Sequence, residues 1–255
     1  MFVDKIARWI LERINELDYE LKIIDYCIGI RYSYVIVEGA KGQSMGLAFT
    51  PLEDVVYQPM ARAPNINSLL ELVSSTSILN KVLGVALMNA LSNYLLWCLN
   101  NTFGVIFLYN VNLIEKLKEF AKEPIIVIGN MKPLVKALRS ENLKVIAVSE
   151  RNPCYRQGAL PDTLIARVIK HANTLIVTGV TLVNDTIDYI LNLAKGKRVI
   201  LVGPTAGAHP RAFIDNGIEV VASLSSKDVE KVKEIIKLGG GRWSFTDYCI
   251  QYIAY

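Results

Sequence analysis

The chemistry-bearing residues of this chain gather at a few short motifs in its second half. Residues 178–186 read Thr-Gly-Val-Thr-Leu-Val-Asn-Asp-Thr. Gly179 would let a ligand approach the backbone, and Thr178, Thr181, Asn184 and Thr186 add hydroxyls, an amide and a helix start. Together they make a natural anion site, whereas plain capping needs only one of them. Gly203-Pro204-Thr205 repeats the theme, and His209 follows within a few residues. His209 is a candidate base or metal ligand, against the commoner role of a solvated loop histidine. Glu150 stands about 20 residues after Gly129, the spacing of an acidic residue that binds a ribose hydroxyl. The run Gly129-Asn130-Met131-Lys132-Pro133 lacks the G-x-G-x-x-G fingerprint, so a conventional NAD site is disfavoured. An ion pair with Arg151 or Arg156 is the plainer alternative for Glu150.

Cysteine chemistry is sparse. Cys27, Cys98, Cys154 and Cys249 form no C-x-x-C pair, and no histidine is near them in sequence. A structural zinc spacing is therefore absent, and free thiols in a reducing cytoplasm are expected. Cys154, Glu150 and His209 would suit a soft or borderline divalent transition metal if the fold brought them together. His171 ends a predicted helix, where the helix dipole favours it, and reads as structural. No H-E-x-x-H or Walker A motif is present.

These motifs need elements to hold them. Strands are predicted at 124–130, 143–150, 173–179, 197–205 and 218–223, each a short apolar run. Helices are predicted at 131–140, 162–171, 181–196 and 210–216, with a last one before the glycines at 239–241. Such alternation implies a parallel sheet covered on both faces, a Rossmann-like α/β domain over 111–255. Ligands of such sheets bind beyond the carboxyl ends of the strands. Gly129-Asn130, Ser149-Glu150, Thr178-Gly179 and Gly203-Pro204-Thr205 are those ends. Any one of them could simply turn the chain; all together favour a binding crevice. Residues 1–110 read as a smaller α+β domain. It has a helix at 3–17, a hairpin of strands at 23–39 and 44–52, helices at 66–73 and 78–99, and a strand at 104–109.

The chain has 255 residues, with 28 Lys plus Arg against 24 Asp plus Glu, a net charge of +4. At 52% apolar and 20% charged it is not a disordered chain. A pI near 8.8 from dispersed charge is a weak footprint for nucleic acid, and none is expected as a partner. No secretory leader is evident. Residues 82–99 carry no charge, the lower edge of a spanning length, but Asn89, Ser92 and Asn93 interrupt them. A buried core helix is expected there, not stable membrane insertion. Asn89 and Asn93 share one helix face, so both amides need partners or a ligand. A cytoplasmic protein is the expectation.

The pattern T-G-x-T-L-x-N-x-T followed by G-P-[ST] runs from Thr178 to Thr186 and from Gly203 to Thr205. Gly84, Ala86, Asn89 and Ala90 fit G-x-A-x-x-N-A, and Glu150, Asn152, Pro153, Pro161 and Asp162 fit a glutamate followed by N-P and later P-D. On these motifs nearly the whole chain resembles a prokaryotic heavy-metal chelation family, formerly a domain of unknown function. The resemblance implies a domain similar to the enolase N-terminal domain, packed on the Rossmann-like domain with the site between them. It would place Asn89 opposite the strand ends, and it implies a metal or metal-chelate ligand.

Three functions follow as expectations. In the first, a metal ion or a metal-chelating small molecule sits in the interdomain cleft. Glu150, Asp162 and His209 supply charge and ligation, and Thr178, Thr181, Asn184 and Thr205 orient an oxygen-rich ligand. In the second, the chain is an enzyme on a nucleotide-like or other anionic metabolite. In the third, it is a non-catalytic partner of a metal transport or maturation system. There the aromatic segment 243–255 would be a docking or homo-oligomer surface, with a segment tucked onto the body as the plainer alternative.

Overall fold

The computed structural model describes residues 1–55 and 59–255. Its first half builds a three-stranded antiparallel sheet from β1 (Lys22–Cys27), β2 (Tyr32–Gly39) and β3 (Gly42–Phe49), in that order. The single strand expected over 23–39 is two strands. The chain turns tightly at Gly29, where an added Cβ would lie 2.3 Å from the Tyr32 carbonyl oxygen. The β2–β3 hairpin is as expected, with Gly39 opposite Gly42, whose φ of +121° suits glycine.

β2 is buried on both faces, and its alternation shows why. Val35 and Val37 join the core of helices Phe2–Asn15 and Ile78–Asn93. Tyr34 and Ile36 turn the other way, onto Val232 and Ile236 of helix Val229–Lys237. Helix 78–93 is buried from Lys81 to Asn93 and continues as a π-helical turn over Tyr94–Cys98. Among the described residues no helix is long and apolar enough to cross a membrane.

The second half builds an eight-stranded sheet. Its strands are β4 (Phe107–Tyr109), β5 (Ile125–Ile128), β6 (Val145–Glu150), β7 (Leu160–Pro161), β8 (Thr174–Thr178), β9 (Arg198–Val202), β10 (Val220–Ser226) and β11 (Cys249–Ala254). Their order is β4-β11-β10-β9-β8-β5-β6-β7. The expected parallel α/β sheet is its centre, since β5 to β10 pair in parallel. The strands alternate between two cores. Ile126, Ile128, Leu175, Val177, Val199 and Leu201 join the core shared with the first half. Ile125, Val127, Ile176, Ile200 and Val202 face Leu117, Val135 and Leu138. Leu117 comes from helix Leu113–Phe120, and Val135 and Leu138 from helix Lys132–Ser140. β5 crosses to β6 on one side of the sheet, and β8 to β9 to β10 on the other. The direction of winding therefore reverses between β5 and β8, where a crevice opens at the carboxyl ends.

Three details differ from the sequence reading. β4, expected within the first domain, hydrogen-bonds into the large sheet beside β11. Residues 249–254 are not a free docking surface: β11 lies between β10 and β4, with Tyr252, Ile253 and Ala254 buried. The helix expected over 181–196 begins at Thr186 and ends at Leu193, after a 3-10 turn over Gly179–Leu182.

Candidate functional site

The carboxyl ends of β5, β6, β8 and β9 floor a cleft of about 1210 Å³. Its other wall comes from the first half, Ile30–Tyr32 and Phe49–Glu53, and its rim includes Gly241, Arg242 and Trp243. Gly129, Asn130, Glu150, Asp162, Thr178, Gly179, Thr181, Asn184, Thr186, Gly203, Pro204 and Thr205 all line it. Asn89 and His209 do not.

The glycines let the strand-end loops close on one another. Gly129 has φ +93°, and a Cβ there would lie 2.6 Å from Thr178 Cγ2. A Cβ on Gly179 would lie 2.5 Å from the Ala206 nitrogen. Hydroxyls then fix the turns. Thr178 Oγ1 accepts from the Val180 N–H at 3.4 Å, and Thr181 Oγ1 donates to the Thr178 carbonyl at 2.8 Å. Thr186 Oγ1 donates to Asn184 Oδ1 at 2.7 Å. Thr205 Oγ1 accepts from the Phe49 N–H at 2.9 Å, joining the small sheet to the end of β9.

Glu150 is committed to the backbone. Oε2 accepts from the Asn130 N–H at 2.7 Å and Oε1 from the Asn152 N–H at 3.0 Å. The carboxylate thus sits beside the start of helix 132–140 and fills the anion position there itself. Neither Arg151 nor Arg156 pairs with it. Arg151 instead bonds Asp54 at 2.9 Å and lies 3.8 Å from Asp162, while Asn152 donates to Glu53 at 3.0 Å. This loop therefore clasps the two halves together.

Asn89 is a buried latch. Its Nδ2 donates to the Leu47 carbonyl at 2.7 Å and to the Thr205 carbonyl at 2.9 Å. It meets the strand end the resemblance implied, but from behind the cleft wall. Asn93 likewise donates to the Met45 carbonyl at 2.7 Å.

His209 is the clearest departure from the sequence reading. It is 0% exposed, between the rings of Trp9 and Phe103. Nδ1 accepts from the Arg211 N–H at 3.1 Å, so Nε2 carries the proton and donates to the Asn101 carbonyl at 3.0 Å. Both nitrogens are used, so neither is free for a metal. Burial lowers the pKa to about 4, opposed by the Asn101 bond and aided by Arg13. Cys154 is exposed in its loop and does not line the cleft. Among the described residues, no three His, Cys, Asp or Glu side chains are grouped to hold a metal ion.

The sequence reading passed over Arg31, Tyr32, Phe49 and Arg242, and took Trp243 only as the start of a docking segment. They reach the cleft from opposite ends of the chain. Burial raises the Tyr32 hydroxyl to about 12, against the opposing charge of Arg242. The signal on offer was the glycine run 239–241, directly before an arginine and a tryptophan.

Two family models described as "Putative heavy-metal chelation" match residues 112–255 and 11–92. An uncharacterised protein of Methanocaldococcus jannaschii is 32% identical over 252 residues, covering 96% of this chain and 94% of its own. A crystal structure of a protein of unknown function from Pyrococcus horikoshii aligns with TM-score 0.86 at 28% identity, covering 99% of both chains. Another, from Desulfitobacterium hafniense, aligns with TM-score 0.74 at 18% identity, covering 98% of this chain and 97% of that one. This last likeness is one of fold.

Proposed function

We propose, for a chain that belongs to this heavy-metal chelation family, that the cleft binds a metal as the complex of a small organic chelator. One observation carries this reading: among the described residues, the cleft lining contains no cysteine and no histidine. Soft and borderline metals take thiolate and imidazole ligands. The residues present do not fit a bare heavy-metal ion, and the expected ligation by His209 and Glu150 is not supported. The lining does fit an organic ligand. Its walls are largely apolar or aromatic, with hydroxyls, backbone groups and guanidinium groups at fixed points, the common make-up of a small-molecule site. The metal would then arrive with its own donors, and the protein would hold the chelator's oxygens.

The test is native mass spectrometry of untagged protein, with elemental analysis of the same sample, followed by calorimetric titration with Zn²⁺ or Ni²⁺ alone. The proposal expects an organic adduct, with or without metal, and no tight binding of the bare ion. Stoichiometric metal without an organic adduct would overturn it. A second reading, an enzyme on an anionic metabolite, draws on the winding reversal between β5 and β8. It expects turnover of such an adduct by the purified protein.

A further inference from the structure

Charge in the cleft is unevenly spent. Arg151 is paired with Asp54 and Asp162. Lys132 bonds Gln157. Both oxygens of Glu150 are held by backbone N–H groups. Arg31 and Arg242 are different. Both line the cleft, and among the described residues neither guanidinium makes an ion pair or a hydrogen bond. Arg242 Nε is buried with no acceptor at all. A desolvated donor of a permanent cation without an acceptor is costly, and a bound oxyanion would supply that acceptor in the bidentate geometry arginine favours. Ser149 repeats the signal on the floor: it is 1% exposed, lines the cleft, and its Oγ has no partner.

The local fold sets the Arg31 side chain against the segment that carries Arg242. Gly241 lies against Arg31, where an added Cβ would sit 3.2 Å from Nη1. Arg242 follows directly, its guanidinium 5.3 Å from the ring centroid of Trp243, which is 71% exposed at the rim. Such an indole offers a flat apolar body a stacking face beside the two charges.

We propose that Arg31 and Arg242 form an oxyanion clamp, and that the ligand is a flat organic molecule bearing carboxylate or phosphate groups. This rests on the reading of the cleft as a chelator site. It assigns the ligand's charge to a rim shared by both halves of the chain.

The experiment titrates the full chain with pyridine-2,6-dicarboxylate, with inorganic phosphate and with Zn²⁺ alone, by calorimetry and tryptophan fluorescence. The same series is run on Arg31→Gln, Arg242→Gln and Arg242→Lys. The wild type is expected to bind the dicarboxylate or phosphate, and whichever binds names the oxyanion. Each glutamine variant should weaken that binding roughly tenfold or more, as loss of a charge-assisted contact implies. Arg242→Lys should restore part of it. Without ligand, Arg242→Gln should melt no lower than wild type, because a buried donor without an acceptor is removed. Unchanged oxyanion binding in both glutamine variants would overturn the clamp and leave the cleft reading standing. Stoichiometric binding of Zn²⁺ alone, with no oxyanion bound, would overturn both.

Discussion

Replacing His209 by alanine separates a structural histidine from a metal ligand. The change removes the acceptor for the Arg211 N–H, the donor to the Asn101 carbonyl, and a ring packed between Trp9 and Phe103. Two buried groups lose their partners and a cavity remains, together about 3 kcal/mol near pH 7. The pH dependence is a second signature. The folded pKa is about 4 against an ordinary 6.5, so the unfolded chain takes up the proton first as pH falls. The stability that neutral His209 supplies is fully present above 6.5 and is lost as pH falls from there through about 4. At roughly 1.4 kcal/mol per unit of separation, about 2 kcal/mol is gone by pH 5. The variant has no such group, so its deficit should shrink from about 3 to about 1 kcal/mol between pH 7.5 and 5. Urea unfolding followed by tryptophan fluorescence at the two pH values reads this directly. Metal content by elemental analysis should be the same in both proteins. A deficit that stays constant with pH, or metal lost at unchanged stability, would refute the assignment.

Asn89→Ala should cost about 2–4 kcal/mol in urea unfolding, because the Leu47 and Thr205 carbonyls lose a buried donor; a cost below about 1 kcal/mol would remove the latch from the account. Glu150→Gln should cost about 1–3 kcal/mol and speed hydrogen exchange at the Asn130 or Asn152 amide, since glutamine keeps one acceptor oxygen and its NH₂ cannot accept the second bond. Loss of metal with exchange unchanged would restore Glu150 as a ligand. Gly179→Ala should cost about 1–3 kcal/mol, because its Cβ must displace the Ala206 backbone 2.5 Å away; wild-type stability in thermal melts would contradict the close approach.

The strand ends were legible because a doubly wound sheet uses one kind of signal twice. Apolar runs such as Ile125–Ile128 mark buried strands, and Gly129 or Gly203 marks the turn where each stops at the crevice. Those positions needed only local pattern and one topological rule. Asn89 reaches the strand end the resemblance implied, but neither it nor His209 lines the cleft, and for a common reason. Residue type advertises chemistry, but the three-dimensional neighbours decide whether a polar group is already satisfied. Asn101 and Trp9 lie far from His209 in sequence and close to it in space. The rim arginines were missed for the converse reason: Arg31 and Arg242 are ordinary surface residues until the fold brings both to one cleft. β11 was hidden because an apolar aromatic tail suits a docking segment as well as a strand; its pairing with β4 is a long-range fact.

The small sheet lies between helix 78–93 of the first half and helix 229–237 of the second. Lys81 pairs with Asp185, and the Phe2 N–H donates to Asp188 at 2.9 Å, so the halves are also fastened along their flank. Two lobes that share their hydrophobic interior lack the separable polar interface across which domains usually move. The cleft is therefore expected to keep one width, so that a ligand of the proposed site would be judged by a fixed aperture rather than by closure around the guest. Capture should be a single kinetic step, its observed rate rising linearly with ligand concentration and showing no plateau from a slow rearrangement. Within the family, a change of guest would then be made by exchanging side chains at the rim, with the frame behind them left as it is.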